Sequence, residues 1–229
     1  MTQIMPNRLD RTFQLHQQEY EEAALRALRS GYFILGKEVS SFEEEFARYL
    51  GAGHCAGVAS GLDALWIALR ILGIGEGDEV IVQANAYIAS VMAITINRAL
   101  PVFVEPDEYY QLDPEKIEEK ITDRTKAILV VHLYGQSARL EPIRSLCEKH
   151  HLYLVEDCAQ SHGTKCFGKM TGTYGNIGCF SFYPSKNLGA YGDGGAIVSD
   201  DPEIDRKVRI FRNYGSEKRY HNQVVGTNS

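Results

Sequence analysis

No two cysteines in this sequence stand as a C-x-x-C pair. Cys55, Cys147, Cys158, Cys166 and Cys179 are scattered and odd in number, so neither a disulfide framework nor a zinc site is suggested, and a reducing cytoplasm is the expected compartment. Long apolar runs are missing as well: nothing reaches membrane-spanning length, and the start, Met1 to Arg8, is polar and lacks the apolar core of a signal peptide. Nor is there a basic excess. The 24 Lys and Arg against 30 Asp and Glu leave a net charge of −6, which argues against general affinity for nucleic acid, because that depends on a basic surface neutralising phosphates. An anionic ligand must be met by a local pocket. With no internal repeat, low-complexity tract or Ser/Gly/Pro linker, the 229 residues, 44% of them hydrophobic, read as one soluble domain with a sizeable core.

What is present, from about residue 54 onward, is an alternation of short β-branched apolar runs with longer helical patterns, the signature of a mostly parallel α/β sheet sandwiched by helices. Strands are expected at His54 to Ser60, Glu79 to Gln83, Val102 to Glu105, Ala127 to Leu133, Leu152 to Asp157, Gly178 to Phe182 and Gly195 to Ser199. Helices are expected at Leu62 to Leu72, Ile88 to Arg98, Pro114 to Ile121, Leu140 to His150 and Pro202 to Asn213. Two amphipathic helices precede them, Gln17 to Ser30 and Ser41 to Leu50, and read as packing or dimer-arm elements. The chain stops at Gly226 to Ser229 with no closing element expected, which reads as truncation with the final loop free to fray.

Three segments can carry chemistry. In Ser181 to Gly189 a strand is followed by Pro184 and Lys186 and then a glycine-rich turn, so the lysine is held at a strand end; a loop lysine by itself is usually a solvated charge. In Val155 to Gly163 an apolar strand ends on Asp157, at the carboxyl edge where open α/β sheets bind ligands. Asp157 there can pair with a protonated pyridine nitrogen, cap a loop, or hold a metal. In Ala59 to Leu65, Ser60 can cap a helix, Asp63 can complete a capping box, and Gly61 lets an anion approach the free amides; a well-capped buried helix explains the same residues. Tyr87 opens the next helix and can lie against a flat ring or sit in the core.

Taken in order, Ser60-Gly61, Tyr87, Asp157 with Gln160, and Ser181 with Lys186 closely resemble the DegT/DnrJ/EryC1/StrS sugar aminotransferases, within the fold-type I pyridoxal-phosphate enzymes. The likeness runs from Ser30-Gly31 to Gly226-Thr227-Asn228. It implies the large domain of such an enzyme preceded by arm helices, residues 1–229, with the small carboxy-terminal domain missing. By the resemblance Lys186 carries pyridoxal 5'-phosphate as a Schiff base and shuttles the proton, Asp157 pairs with the pyridine nitrogen, and Gln160 approaches the ring's phenolic oxygen. Tyr87 stacks on the ring, while Ser60, Gly61, Leu62 and Ser181 serve the phosphate. Asn228 is assigned to the partner's site, implying a homodimer with shared active sites. The implied substrates are L-glutamate and a nucleotide-linked (dTDP or UDP) deoxy keto sugar. Many relatives carry threonine at Leu62, so a side-chain hydroxyl is missing there.

An inactive remnant or a non-catalytic cofactor-binding protein is the alternative within the family, and Lys186 speaks against a dehydratase, which carries histidine at that place. A nicotinamide enzyme is disfavoured because Gly73 to Gly77 follows a helix and opens a strand, the reverse of a dinucleotide loop. The basic run Arg206, Lys207, Arg209, Arg212, Lys218 and Arg219 can meet a sugar diphosphate; for the first four a solvated helix face is the simpler expectation.

Overall fold

The computed structural model describes residues 7–218 and 220–229; Met1 to Pro6 of the polar start and Arg219 of the basic run lie outside the described residues. In chain order the elements are α1 (Leu9–Leu15), α2 (Gln17–Ser30), α3 (Lys37–Leu50), β1 (His54–Val58), α4 (Gly61–Ile71), β2 (Glu79–Gln83), α5 (Ile88–Ile96), β3 (Leu100–Val104), β4 (Thr125–Val131), α6 (Leu140–His150), β5 (Tyr153–Asp157), β6 (Lys165–Cys166), β7 (Lys169–Met170), β8 (Ile177–Ser181), β9 (Gly195–Ser199), α7 (Pro202–Arg212), β10 (Ser216–Lys218) and β11 (His221–Asn222).

Seven strands form one sheet in the order β1-β9-β8-β5-β4-β2-β3. β3, β2, β4, β5 and β8 pair in parallel, and only β9 is reversed, antiparallel to both β8 and β1. The carboxyl ends of six strands therefore share one edge. Pleating sends alternate residues to opposite layers. Val80, Val82, Leu129, Val131, Val155 and Ile177 meet α4, α5 and α7 on one face, while Ile81, Ile128, Val130 and Leu154 meet Leu140, Ile143 and Cys147 of α6 on the other. α3 extends that second layer, packing Phe46, Ala47 and Leu50 on Phe180, Phe182 and Val198. Burial on both faces is why these strands read as continuous apolar runs.

Several boundaries differ from the sequence reading. β1 stops at Val58 because Ser60 is already the extended N-cap of α4. β3 begins at Leu100, two residues before the expected start, because an edge strand tolerates Pro101. The expected helix from Pro114 to Ile121 is two 3-10 turns, Pro114–Lys116 and Glu118–Lys120; Glu115, Glu118 and Glu119 would repel along one α-helical face. α3 starts at Lys37 rather than Ser41. The last residues are tied down rather than frayed. Thr227 N–H donates to Phe211 O at 2.8 Å and Ser229 N–H to Arg212 O at 3.0 Å, and the Ser229 hydroxyl donates to Asp63 Oδ2 at 2.7 Å.

Arg209 and Arg212 are not a solvated face. Both donate to Glu43 of α3, and they also reach the Cys55 and Gly57 carbonyls of β1 at 2.6 Å each. Burial pushes the Glu43 carboxyl up, but hydrogen bonds from Arg212, the Gly57 amide and Arg209 outweigh it and hold it below the usual carboxylate range. A depressed carboxyl stabilises the fold fully above its unfolded value near 4.5 and loses that contribution as pH falls through the native value. Glu43→Gln should therefore cost about 3 kcal/mol at pH 7, the scale of breaking a buried pair. Urea midpoints of the two proteins should converge toward pH 3; a constant gap down to pH 3 would show that the carboxylate charge is not what matters.

Candidate active site

Every sequence-predicted residue except Asn228 lies in the loops, strand ends or first helical turns at the carboxyl edge of the sheet. Asp157 ends β5 and is 4% exposed. Its Oδ2 accepts the Ser90 hydroxyl at 2.7 Å and its Oδ1 the Ala159 amide at 3.1 Å. Burial pushes the carboxyl above its usual range in spite of these two donors and of the nearby Lys186 charge. Such a group is short of positive partners. Lys186 follows β8 in a turn closed by its own N–H to Tyr183 O at 2.8 Å, and it is half-buried.

Gly61 and Ser181 meet across the edge. A Cβ on Gly61 would lie 2.5 Å from Ser181 Cβ and 2.9 Å from its Oγ, so only glycine permits the approach. Gly195, at the start of the reversed strand, is equally constrained, since a Cβ there would stand 2.3 Å from Ser60 O. Ser60 caps α4, its Oγ accepting the Asp63 amide at 3.0 Å. The expected capping box is only half formed: Asp63 turns its carboxylate to Trp66 Nε1 at 2.8 Å and to Ser229. The Gly61 and Leu62 amides, at the helix's first two positions, have no acceptor within the helix and sit at its positive end. The Leu62 side chain packs against the core of this layer, so the backbone amide is what it can offer an anion.

Tyr87 is the N-cap of α5 and 69% exposed, so it is not a core residue. Gln160 Oε1 accepts the Tyr134 amide at 2.8 Å, which leaves its Nε2 as the end able to donate to a ligand. Asn228 is exposed, in a bridge with Asn213 at the end of α7.

Sequence reasoning missed Ser90, Tyr134 and the pair His132 and Glu156. His132 and Glu156 are fully buried, 3.0 Å apart. Glu156 also takes the amides of Gly172, Tyr174 and Gly175 at 2.8, 2.8 and 2.7 Å, so all four of its lone-pair positions are used. His132 Nδ1 accepts the Ala138 amide at 3.1 Å, which makes Nε2 the donor to Glu156. His132, Glu156 and Cys158 bring three potential ligand atoms within 4.8 Å of one another, but the carboxylate is saturated and burial keeps the Cys158 thiol protonated, so the cluster holds structure rather than a cation. The only legible signal was a glutamate inside an apolar strand, which demands partners.

A parallel sheet layered by helices, with a lysine, a buried carboxylate and a helix N-terminus gathered at its carboxyl edge, is the large domain of a fold-type I aminotransferase. Residues 14–229 match the sequence model of the DegT/DnrJ/EryC1/StrS aminotransferase family, and the chain belongs to that family. It is 55% identical over 215 residues to the dTDP-3-amino-3,6-dideoxy-alpha-D-galactopyranose transaminase of Aneurinibacillus thermoaerophilus, over 93% of this chain and 59% of that protein. S. venezuelae DesV, solved in complex with ketimine intermediate, superposes with a TM-score of 0.94 at 48% identity, over 96% of this chain and 60% of the other. The Bacillus subtilis protein ntda, solved with bound cofactor pmp, gives 0.93 at 32% identity, over 100% of this chain and 53% of the other. The chain thus spans little more than half the length of the relatives it matches. Among its described residues no helix is long and apolar enough to cross a membrane.

Proposed function

We propose that this chain is the cofactor-binding part of a pyridoxal-phosphate transaminase that moves the amino group of L-glutamate to the keto group of a nucleotide-linked deoxy sugar. The observation that carries this reading is the convergence of Lys186, buried Asp157 and the Gly61–Ser181 approach on one sheet edge. The residues fit the cofactor. Asp157 is a buried carboxylate short of a cationic partner, which a pyridinium N–H supplies, and the Gly61 and Leu62 amides with the Ser181 hydroxyl form an anion cradle at a helix N-terminus. When bound, pyridoxal phosphate supplies an electron sink for the negative charge left at carbon when a C–H proton departs.

Around it the chain's own groups divide the work. Lys186 Nζ would hold the cofactor, and its free amine would serve as the general base and general acid that moves the proton of the donor's α-carbon. Tyr87 offers an exposed ring face, and Gln160 Nε2 would be the donor to the cofactor's phenolic oxygen. Asn228, exposed and bridged to Asn213, is assigned to the site of a partner copy, making the competent form a homodimer. The name of the Aneurinibacillus relative puts the amino group at carbon 3, so a dTDP-linked 3-keto-6-deoxy sugar is the first acceptor to try.

Titrating pyridoxal phosphate into the protein should give a saturable visible band that L-glutamate bleaches and the dTDP-linked keto sugar restores. A band that glutamate leaves intact would favour a cofactor-binding protein without turnover; no band at all would overturn the reading.

A further inference from the structure

The role of Asp157 requires its carboxylate to face one direction from a buried position, and little on its own strand enforces that. The Ala159 amide lies two residues away and moves with β5, whereas Ser90 belongs to another layer, 67 residues distant in sequence, and is itself fully buried. We propose that Ser90 is a positioning residue, whose hydroxyl fixes the rotation of the Asp157 carboxylate and so the direction in which it can accept from a cationic N–H ligand.

Three observations support this. A carboxylate offers about four lone-pair directions; two at Asp157 are occupied, one on each oxygen, whereas its neighbour Glu156 has all four filled. Asp157 therefore keeps room for a ligand while Ser90 restricts where that room points. Of the titratable groups around Asp157, Glu156 precedes it on β5 with its side chain in the opposite layer, Cys158 directly follows the strand, Cys179 stands on β8, His132 follows β4 and Lys186 follows β8. Burial is what pushes its carboxyl up, and the Ser90 hydroxyl is the strongest single influence pulling it back, ahead of the Ala159 amide and the Lys186 charge. Finally, Ser90 lies three residues after Tyr87, with its amide bonded to Tyr87 O at 3.0 Å. One turn of α5 thus sets both the exposed ring and the anchor of the carboxylate, fixing their spacing as a unit.

The ligand part of this inference rests on the transaminase reading, so the test has an arm without cofactor. Pyridoxal-phosphate affinity by fluorescence and the Asp157 titration midpoint by carboxyl NMR without cofactor are measured for wild type, Ser90→Ala, Ser90→Cys, Asp157→Asn and Ser90→Ala in the Asp157→Asn background. Ser90→Ala should weaken cofactor binding about tenfold, as loss of a hydrogen bond to a charged group does, and move the Asp157 midpoint upward. Ser90→Cys, close in volume but a weak donor, should follow Ala rather than wild type. In the Asp157→Asn background the Ser90→Ala change should have no further effect on affinity. An unchanged midpoint, or the same tenfold loss with Asn at 157, would overturn the proposal and make Ser90 a packing residue of α5. If wild type fails to bind pyridoxal phosphate, the transaminase reading falls, and the midpoint arm still decides whether Ser90 governs the carboxylate.

Discussion

Borohydride added to the cofactor-loaded protein should leave pyridoxal phosphate fixed on Lys186 and on no other lysine, and Lys186→Ala should lower turnover by about four orders of magnitude. Lys186 is half-buried in a closed turn beyond β8, and its charge is felt at buried Asp157. Other lysines, such as Lys120, Lys149 and Lys116, are exposed on the surface in ion pairs with glutamate or aspartate, away from the carboxyl-edge site. The size of the effect follows from two roles lost together, since general acid/base transfer alone contributes up to about 10,000-fold. Peptide mapping of the reduced protein checks the attachment, and cofactor found on a different lysine would remove Lys186 from the mechanism.

Asp157→Asn separates function from structure by opposite signs. Turnover should fall about 100-fold or more, the scale seen when one preorganised electrostatic partner is removed. The cofactor-free protein, in contrast, should be at least as stable as wild type at pH 7. The Asp157 carboxyl is raised above its unfolded value by burial, so the folded state binds the proton more tightly and stability declines as pH rises from near 3.8 through the raised native value. Asparagine removes that penalty while its oxygen can still accept from the Ala159 amide and its amide can donate to the Ser90 oxygen. Chemical denaturation between pH 3 and pH 8 and a glutamate half-reaction assay check the two halves. Lower stability with unchanged turnover would make Asp157 a structural residue.

The strands and most helices were legible because their signal is local. β-branched runs such as Glu79–Gln83 are buried on both faces, and α2 matches the predicted Gln17 to Ser30. What failed depended on distant context. Pro101 reads as a strand breaker until β3 is seen at the sheet edge, and Arg209 and Arg212 read as a wet face until Glu43, more than 160 residues earlier, is seen between them. Asp63 kept its place but not its partner, because Ser229 and Trp66 compete for its oxygens. At the site, each residue that ends a strand or opens a helix was legible from the turn around it. Ser90 and Tyr134 were not, since the part each plays is one hydrogen bond across 67 or 26 residues, from the Ser90 hydroxyl and from the Tyr134 backbone amide, and neither residue type announces which group it will meet.

The neighbouring acids Glu156 and Asp157 make the register of β5 self-checking. Pleating sends them to opposite layers, where Glu156 finds four donors and Asp157 finds two. If β5 slipped by one residue against β4 and β8, every side chain would change layers. Glu156 would leave its amides and His132 stranded, and a carboxylate one methylene shorter would have to reach them. Both errors are charged and buried, so the slipped chain is penalised twice by several kcal/mol. The pair thus discriminates between the correct pairing and its nearest competitor as the chain folds, and a protein without catalytic purpose would still have reason to keep both.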